Sequence, residues 1–147
     1  MDIIRITDDA HAVIEPGWLA RAEAVHRQLR PQLPPDYVQK MQHVFEGGGE
    51  MCVAVIEDQV VGVTVFRSFE NTFSGHKFYV DDLVTDERHR SSGVGRALIV
   101  FLEQLAKGRG GGSIELDSGT QRTDAHRFYF REGFVITSFC FRKGLSA

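Results

Sequence analysis

The sequence predicts one α/β domain in which a mixed β-sheet is flanked by helices. Its 147 residues match the length of a single domain, which we expect to span residues 1–147. Its composition, 42% hydrophobic and 25% charged, is that of an ordinary globular protein. Strand-like runs follow one another directly early in the chain and alternate with helices later. This order indicates antiparallel pairing first and a parallel crossover afterwards.

The N-terminal part is predicted to hold one strand and two helices. Residues 2–6 are typical of a short strand. Residues 16–30 place apolar side chains at helical spacing, and a proline-rich break separates them from a second predicted helix over residues 36–45. Three consecutive glycines then end this second helix.

Three strands are predicted in the middle of the chain. Residues 51–57 and 60–66 are apolar and β-branched on either side of a two-residue turn, which indicates an antiparallel hairpin. Residues 77–85 are predicted as the third strand. Residues 70–76 are polar and contain glycine, so we expect a loop there, and the wider segment 67–76 is long enough to close over a small pocket.

The last third of the chain alternates helices and strands. Residues 93–106 predict an amphipathic helix, and residues 113–116 predict a strand. A further helix ends before Gly133, and two final strands are expected at residues 134–137 and 138–142. The sheet is thus expected to have six to seven strands and about four flanking helices.

Charge and apolar content exclude several classes of function. Seventeen Lys and Arg against twenty Asp and Glu give a net charge of −3, which argues against a nucleic-acid-binding protein. No apolar run reaches the roughly 18 residues of a membrane span, and no secretory signal is recognised, so we expect no membrane partner and a cytoplasmic location. Cys52, Cys140 and the scattered histidines predict neither a disulfide framework nor a metal site.

Residues 88–96, Arg-His-Arg-Ser-Ser-Gly-Val-Gly-Arg, carry the clearest functional signal. They lie between a predicted strand and a predicted helix, with two glycines at the helix entrance and arginines on either side. Glycines let backbone N–H groups approach an anion, and a helix N-terminus offers N–H groups that lack partners. The segment therefore predicts a loop that binds a pyrophosphate.

Three kinds of phosphate loop compete for this segment. A Walker A loop needs Gly-Lys-Ser/Thr, which the sequence lacks, and a dinucleotide-binding loop needs a third glycine where Leu98 stands. The coenzyme A loop of acetyltransferases has Arg or Gln, two residues, Gly, one residue, then Gly or Ala. Arg90-Ser91-Ser92-Gly93-Val94-Gly95 fits that pattern at every position.

Two motifs, of which this loop is part of the first, make the chain resemble the GNAT superfamily of N-acetyltransferases. The first motif runs from residues 78–85 through the loop to residue 98. The second is residues 124–134, which are similar to the family element of Ala, two residues, Phe-Tyr, three residues and Gly-Phe. The resemblance covers residues 50–143 and implies the GNAT fold, in which strands 4 and 5 splay apart. Residues 116–133 are also similar to aminoalkylphosphonate N-acetyltransferases.

The resemblance implies acetyl-CoA as the cofactor and direct transfer of its acetyl group to an amine in a ternary complex. Backbone groups beside the splayed strands would pair with the pantetheine as an added strand does, and N–H groups of the loop would hold the pyrophosphate. The implied cofactor-binding residues are Leu83, Val84, Thr85, Arg90, Ser91, Ser92, Gly93, Val94, Gly95 and Arg96.

The resemblance also implies residues for acid–base catalysis. An alkyl amine with a pKa of about 10.4 is mostly protonated at pH 7, so some group must accept its proton. Asp82 and Asp81 are the candidates, directly or through water, and as neighbours in a strand they are expected to point to opposite faces. Tyr129 aligns with the tyrosine that many family members use as the general acid.

We therefore predict an N-acetyltransferase that acts on the primary amine of a small molecule. Two alternatives stay open. One is an acetyltransferase for protein lysines or N-termini, which needs an open groove, and the other is a non-catalytic coenzyme A-binding module. The predicted loop at residues 67–76 favours a small acceptor, and the acid–base candidates favour an enzyme. The aromatic C-terminal strand could pair with a second subunit, so a homodimer is a further expectation.

Overall fold

The computed structural model describes residues 1–146 and forms two compact units, the first ending at Leu116 and the second beginning at Asp117. The elements of the first unit are β1 (Asp2–Arg5), α1 (Pro16–Arg21), α2 (Glu23–Leu29), α3 (Tyr37–Glu46), β2 (Gly49–Ile56), β3 (Gln59–Asn71), β4 (Gly75–Thr85), α4 (Val94–Gly108) and β5 (Ile114–Leu116). A short 3-10 turn at Glu87–His89 precedes α4, and the second unit contains α5 (Thr123–Arg131).

The first unit is built on a five-stranded sheet in the order β1-β2-β3-β4-β5. Strands β1 to β4 pair antiparallel, whereas β5 lies parallel to β4. Because α4 connects β4 to β5, the predicted crossover and the mixed α/β class are confirmed. None of the helices in the described part of the chain is long and apolar enough to span a membrane.

The sheet has five strands rather than six to seven because the two predicted C-terminal strands are not formed. Residues 134–146 carry no regular secondary structure. A strand needs a neighbour to pair its backbone groups, and the described part of the second unit contains no strand that could be one for this segment. Its large side chains are therefore exposed, with Val135 at 74%, Phe139 at 82% and Phe141 at 94%.

Both faces of the sheet are covered by helices. In β2, Met51 and Val53 pack into a cluster with the side chains of α1, α2 and α3, whereas Cys52 and Ala54 pack on the side of α4. This burial on both faces explains the continuous apolar run in β2. The predicted helix over residues 16–30 is divided into α1 and α2, with Ala22 between them.

A hairpin replaces the pocket-closing loop that was predicted at residues 67–76. Pairing between β3 and β4 continues to Asn71 and Gly75, which leaves a turn of residues 72–74. The Asn71 side-chain oxygen accepts a hydrogen bond from the backbone N–H of Ser74, and Gly75 has a φ of +74°. These local features specify a tight turn, so the prediction of a long loop is wrong.

Candidate active site

A β-bulge in β4 brings two carboxylates to the same face of the sheet. Val65 of β3 pairs with Asp82, but the next residue, Phe66, pairs with Val80, so Asp81 is the extra residue. Neighbouring residues of a regular strand point to opposite faces, and a bulge cancels that alternation. Asp81 and Asp82 both line one cavity of about 340 Å³. The expectation that they face opposite sides is therefore wrong.

This cavity lies within the first unit, between α2, α3 and the sheet. Its volume is at the lower end of the range of ligand pockets, roughly 300–1,000 Å³. Met41 and Val65 supply part of its apolar wall. Its charged wall consists of Arg30, Lys40, Arg67, Asp81 and Asp82.

Asp82 is held by hydrogen bonds at both carboxylate oxygens. Arg30 donates to Oδ1 from Nε at 2.8 Å and from Nη2 at 2.6 Å, and His26 donates to Oδ2 from Nε2 at 2.7 Å. Burial alone would raise the pKa of Asp82, but the hydrogen bonds and charges of His26 and Arg30 outweigh it and lower the pKa. Asp82 therefore stays ionised near neutral pH.

His26 is 1% exposed, and both of its ring nitrogens have partners. Because an ionised carboxylate only accepts hydrogen bonds, Nε2 carries a proton, and Nδ1 lies 2.8 Å from the Tyr37 hydroxyl, within hydrogen-bond distance. Burial raises the pKa of Tyr37, so this phenol keeps its proton. The chain from Tyr37 through His26 fixes the orientation of Asp82.

His26 and Arg30 are residues of the site that the sequence did not reveal. They lie one helical turn apart at the end of the predicted helix over residues 16–30, which is the only sequence signal that they share a face. Asp82 lies more than 50 residues further along the chain. Its contact with this helix face depends on how the helix packs on the sheet.

Asp81 forms a second ion pair in the wall of the cavity. Arg67 donates to its two carboxylate oxygens from Nε at 2.7 Å and from Nη2 at 2.9 Å. The hydrogen bonds to Asp81 raise the pKa of Arg67 further. The Arg67 guanidinium also lies 5.3 Å from the centre of the Tyr79 ring, within reach of a cation–π contact. Both candidate bases are thus carboxylates paired with arginines.

The predicted pyrophosphate loop forms the entrance to α4. Gly93 occupies the N-cap position with a φ of +83°, and Ser91 also has a positive φ, +62°. The sign of φ therefore alternates from Ser91 to Gly93, a pattern found in backbone nests that bind anions. No side chain in the described structure caps this end of α4, so the N–H groups of its first turn are available to a ligand.

Asp86 anchors the start of this loop, although the sequence did not single it out. It is 1% exposed and accepts hydrogen bonds from Gln28 at 3.2 Å and from the Arg88 guanidinium at 3.0 Å. Burial alone would raise the pKa of Asp86, but these hydrogen bonds outweigh it and lower the pKa to about 2. Through its hydrogen bond with Gln28 of α2, the ionised Asp86 holds the start of the loop against that helix.

The edge of β4 that faces β5 is open over part of its length. The two strands pair only at Phe78–Val80 of β4. From Asp81 to Thr85, no strand among the described residues pairs with that edge. Alternate backbone groups of Leu83–Thr85 are therefore available there, as expected for splayed strands.

Tyr129 lies in α5, in the second unit. Its ring packs edge-on against Phe128 and Phe134, with centroids 5.4 and 5.5 Å away. Burial raises the pKa of the phenol, an effect that the positive charge of Arg122 partly offsets. Tyr129 therefore carries its proton at neutral pH and has one to donate.

Comparison with known proteins places these features in a family context. The family model described as acetyltransferase (GNAT) family matches residues 18–134. YhdJ of Bacillus subtilis, an uncharacterised N-acetyltransferase, is 32% identical over 127 residues, covering 84% of this chain and 89% of that protein. Aminoalkylphosphonate N-acetyltransferase of Salmonella typhimurium is 36% identical over 94 residues, covering 63% and 61%. The solved structure of aminoglycoside N-acetyltransferase AAC(6')-Iy in complex with CoA matches with a TM-score of 0.84 at 14% identity, covering 99% and 95%.

Proposed function

The chain belongs to the GNAT family of acetyltransferases, and from this premise we propose that it acetylates the primary amine of a small molecule. The observation that carries the proposal is the cavity of about 340 Å³ beside the bulge of β4, where Asp81 and Asp82 meet. Its size suits a small acceptor. The carboxylates of Asp81 and Asp82 line it, each paired with an arginine, and their oxygens can accept further hydrogen bonds from an amine.

Acetyl-CoA is the cofactor of this family, and as a thioester it supplies the activated acetyl group. Two features of the chain fit it: the open edge of β4 and the uncapped N-terminus of α4. We propose that the backbone of Leu83, Val84 and Thr85 holds the pantetheine. The proposed pyrophosphate site consists of the N–H groups from Ser91 through Ser92, Gly93 and Val94 to Gly95, with Arg90 and Arg96.

We propose that Asp82 acts on the amine proton through a bound water. Both oxygens of Asp82 already accept hydrogen bonds and its pKa is lowered, so it is a weak direct base. A fixed carboxylate can still orient a water, and Asp81 is the second residue that could do so. Tyr129 Oη holds a proton at neutral pH, and we assign the general-acid role to it.

Three wider properties are proposed with this activity. The two units act as one acetyltransferase domain over residues 1–147, because the family match crosses the boundary after Leu116. A homodimer is proposed from the exposed apolar side chains of residues 134–146. A cytoplasmic location is proposed because Cys52 and Cys140 are both free thiols.

The test of the proposed function measures binding and transfer separately. Calorimetry should show that acetyl-CoA binds, whereas NAD and ATP give no heat. Release of the free thiol from acetyl-CoA should depend on an added small amine. Failure of acetyl-CoA to bind would refute the assignment of the cofactor site. Slow thiol release that no amine accelerates would instead favour a module without acetyltransferase activity.

A further inference from the structure

Two buried polar side chains beside the cavity have no step assigned to them in the proposed reaction. His26 of α2 is 1% exposed and Tyr37 of α3 is 2% exposed, and their rings meet edge-on with centroids 5.6 Å apart. Burial of a polar group costs stability unless the group is hydrogen-bonded. The hydrogen bonds of this pair therefore indicate its role.

The partners of the Tyr37 hydroxyl determine the direction of its hydrogen bond with His26. Oη lies 2.8 Å from Nδ1 of the imidazole and forms no other hydrogen bond with residues 1–146. Burial raises the pKa of Tyr37, so the hydroxyl keeps its proton at neutral pH. If Nδ1 also carried a proton, the buried phenol proton would have no acceptor. Every proton has an acceptor only when Tyr37 donates and Nδ1 accepts.

This direction fixes the tautomer of His26 and, through it, the state of Asp82. With Nδ1 as an acceptor, the ring is neutral and carries its single proton on Nε2, which lies 2.7 Å from Asp82 Oδ2. A neutral donor orients the carboxylate and leaves its negative charge in place. Because the three side chains belong to α2, α3 and β4, the hydrogen bonds also connect both helices beside the cavity to Asp82.

We propose that His26 and Tyr37 are positioning residues for acetyl transfer. The Tyr37 hydroxyl holds His26 as its neutral Nε2–H tautomer, and His26 in turn aims the ionised Asp82 at the cavity. The inference rests on the proposed acetyltransferase function and adds two residues that act through Asp82. The other charged groups that face this part of the site are Arg30, Lys40, Arg67 and Asp81 at the cavity and Glu23 and Arg27 near Tyr37.

Three substitutions separate the parts of this pair. Tyr37→Phe removes only the hydroxyl, His26→Gln keeps a donor and an acceptor in one amide group, and His26→Leu keeps neither. We expect kcat to fall about tenfold in Tyr37→Phe and about thirtyfold in His26→Leu, whereas His26→Gln retains most of it. Acetyl-CoA affinity, measured by calorimetry, should be unchanged in all three. His43→Leu is the matched control, because His43 is exposed on α3 and does not line the cavity.

Kinetics in an Asp82→Asn background test whether the pair acts through Asp82. His26→Leu should then lower kcat by less than about twofold, because the carboxylate that His26 positions is already absent. The pH profile gives a second test, since loss of His26 removes one of the effects that lower the pKa of Asp82. Asp82 should then bind a proton at a higher pH, so kcat/KM of His26→Leu should fall more steeply than that of the wild type at acid pH.

NMR of the labelled protein separates this inference from the proposed function, because it requires no turnover. At pH 7.5 the His26 ring should carry a proton on Nε2 and none on Nδ1. The titration of the Asp82 side-chain carbon should move to higher pH in His26→Leu and stay in place in His43→Leu. Both results in a protein that acetylates no amine would support the positioning of Asp82 and count against the proposed function alone.

Three results would overturn the inference. The first is a second proton on the His26 ring at pH 7.5, which would show an imidazolium ion. The second is an Asp82 titration that His26→Leu leaves unchanged. The third is a loss of kcat in His26→Leu that is equally large with Asp82 and with Asn at position 82, since the histidine would then serve the packing of α2 only.

Discussion

The charge state of Asp82 shows how much one residue depends on its neighbours. In a solvent-exposed strand, an aspartate would be an available base with an ordinary pKa. Here Arg30 and His26 occupy both carboxylate oxygens and lower the pKa. The side chain therefore contributes a permanent charge and a fixed orientation, and proton transfer from the acceptor is expected to involve water.

The pH dependence of the reaction tests this state of Asp82. Because its pKa is lowered, the carboxylate stays ionised as the pH rises from about 6 to about 9, whereas the acceptor amine, with a pKa of about 10.4, becomes increasingly deprotonated. We expect kcat/KM for an alkyl amine to rise about tenfold per pH unit. Asp82→Asn should lower kcat/KM at every pH without changing the slope of its dependence on pH. A plateau above pH 7 that disappears in Asp82→Asn would show instead that Asp82 titrates as the base.

Tyr129→Phe tests the general-acid role of the phenol. The variant keeps the ring that packs against Phe128 and Phe134 but removes the proton that Tyr129 carries at neutral pH. We expect kcat to fall by about a hundredfold, with unchanged affinity for acetyl-CoA and unchanged stability to urea. Steady-state kinetics, calorimetry and urea unfolding measure the three quantities. An unaltered kcat would assign Tyr129 a packing role only.

At the scale of elements, two irregularities build the candidate site. The bulge in β4 turns Asp82 onto the face that already carries Asp81, and the positive φ at Gly93 shapes the backbone at the entrance to α4. Close packing sets the position of that entrance. A Cβ on Gly62 of β3 would lie 2.6 Å from the Val94 side chain, so glycine lets α4 approach the sheet.

Gly93→Ala tests the importance of the backbone at the start of α4. A φ of +83° costs an L-residue about 1–2 kcal/mol, so the loop must either store that strain or move. We expect acetyl-CoA affinity to fall about tenfold, as measured by calorimetry. Gly108→Ala is the control, since Gly108 is helical, its Cβ would meet open space, and the change should preserve or raise stability to urea. Equal affinities in the two variants would contradict the proposed loop.

At the scale of the whole molecule, the first unit is held together by a network of charges as well as by its core. Arg109 follows α4 and donates to the buried Glu50 of β2 at 2.7 and 2.8 Å, and Arg5 of β1 donates to the same carboxylate at 3.0 Å. The C-terminal end of α4 is thereby fixed to two strands. In the second unit, the last residues have exposed apolar side chains and form no regular secondary structure.

Charged substitutions in the C-terminal segment test the proposed homodimer. If the exposed apolar side chains bury against a second copy, the wild-type protein should have twice the chain mass by light scattering. Phe139→Asp combined with Phe141→Asp should shift it to a monomer. Phe73→Asp is the matched control, because Phe73 is equally exposed but lies in the turn between β3 and β4. A wild-type monomer would refute the dimer.

Features that depend on neighbouring residues were predictable from the sequence. The first strands of the sheet, the helix after the loop and the crossover to β5 all follow from hydrophobic periodicity and turn chemistry, which act over a few residues. The candidate phosphate loop is equally local, because its glycines, its serines and the start of α4 lie within residues 88–96. The sequence by itself therefore determined the class of the fold and the proposed cofactor loop.

Features that join distant parts of the chain required the tertiary structure. His26 and Arg30 reach Asp82 across 56 and 52 residues, and their contact depends on the packing of α2 against the sheet. The shared face of Asp81 and Asp82 depends on the register between β3 and β4, which periodicity along one strand does not encode. Residues 134–142 show the same dependence on distant parts of the chain. The alternation of their side chains indicated strands, but a strand forms only beside a partner strand. Only the folded molecule determines whether such a partner is present.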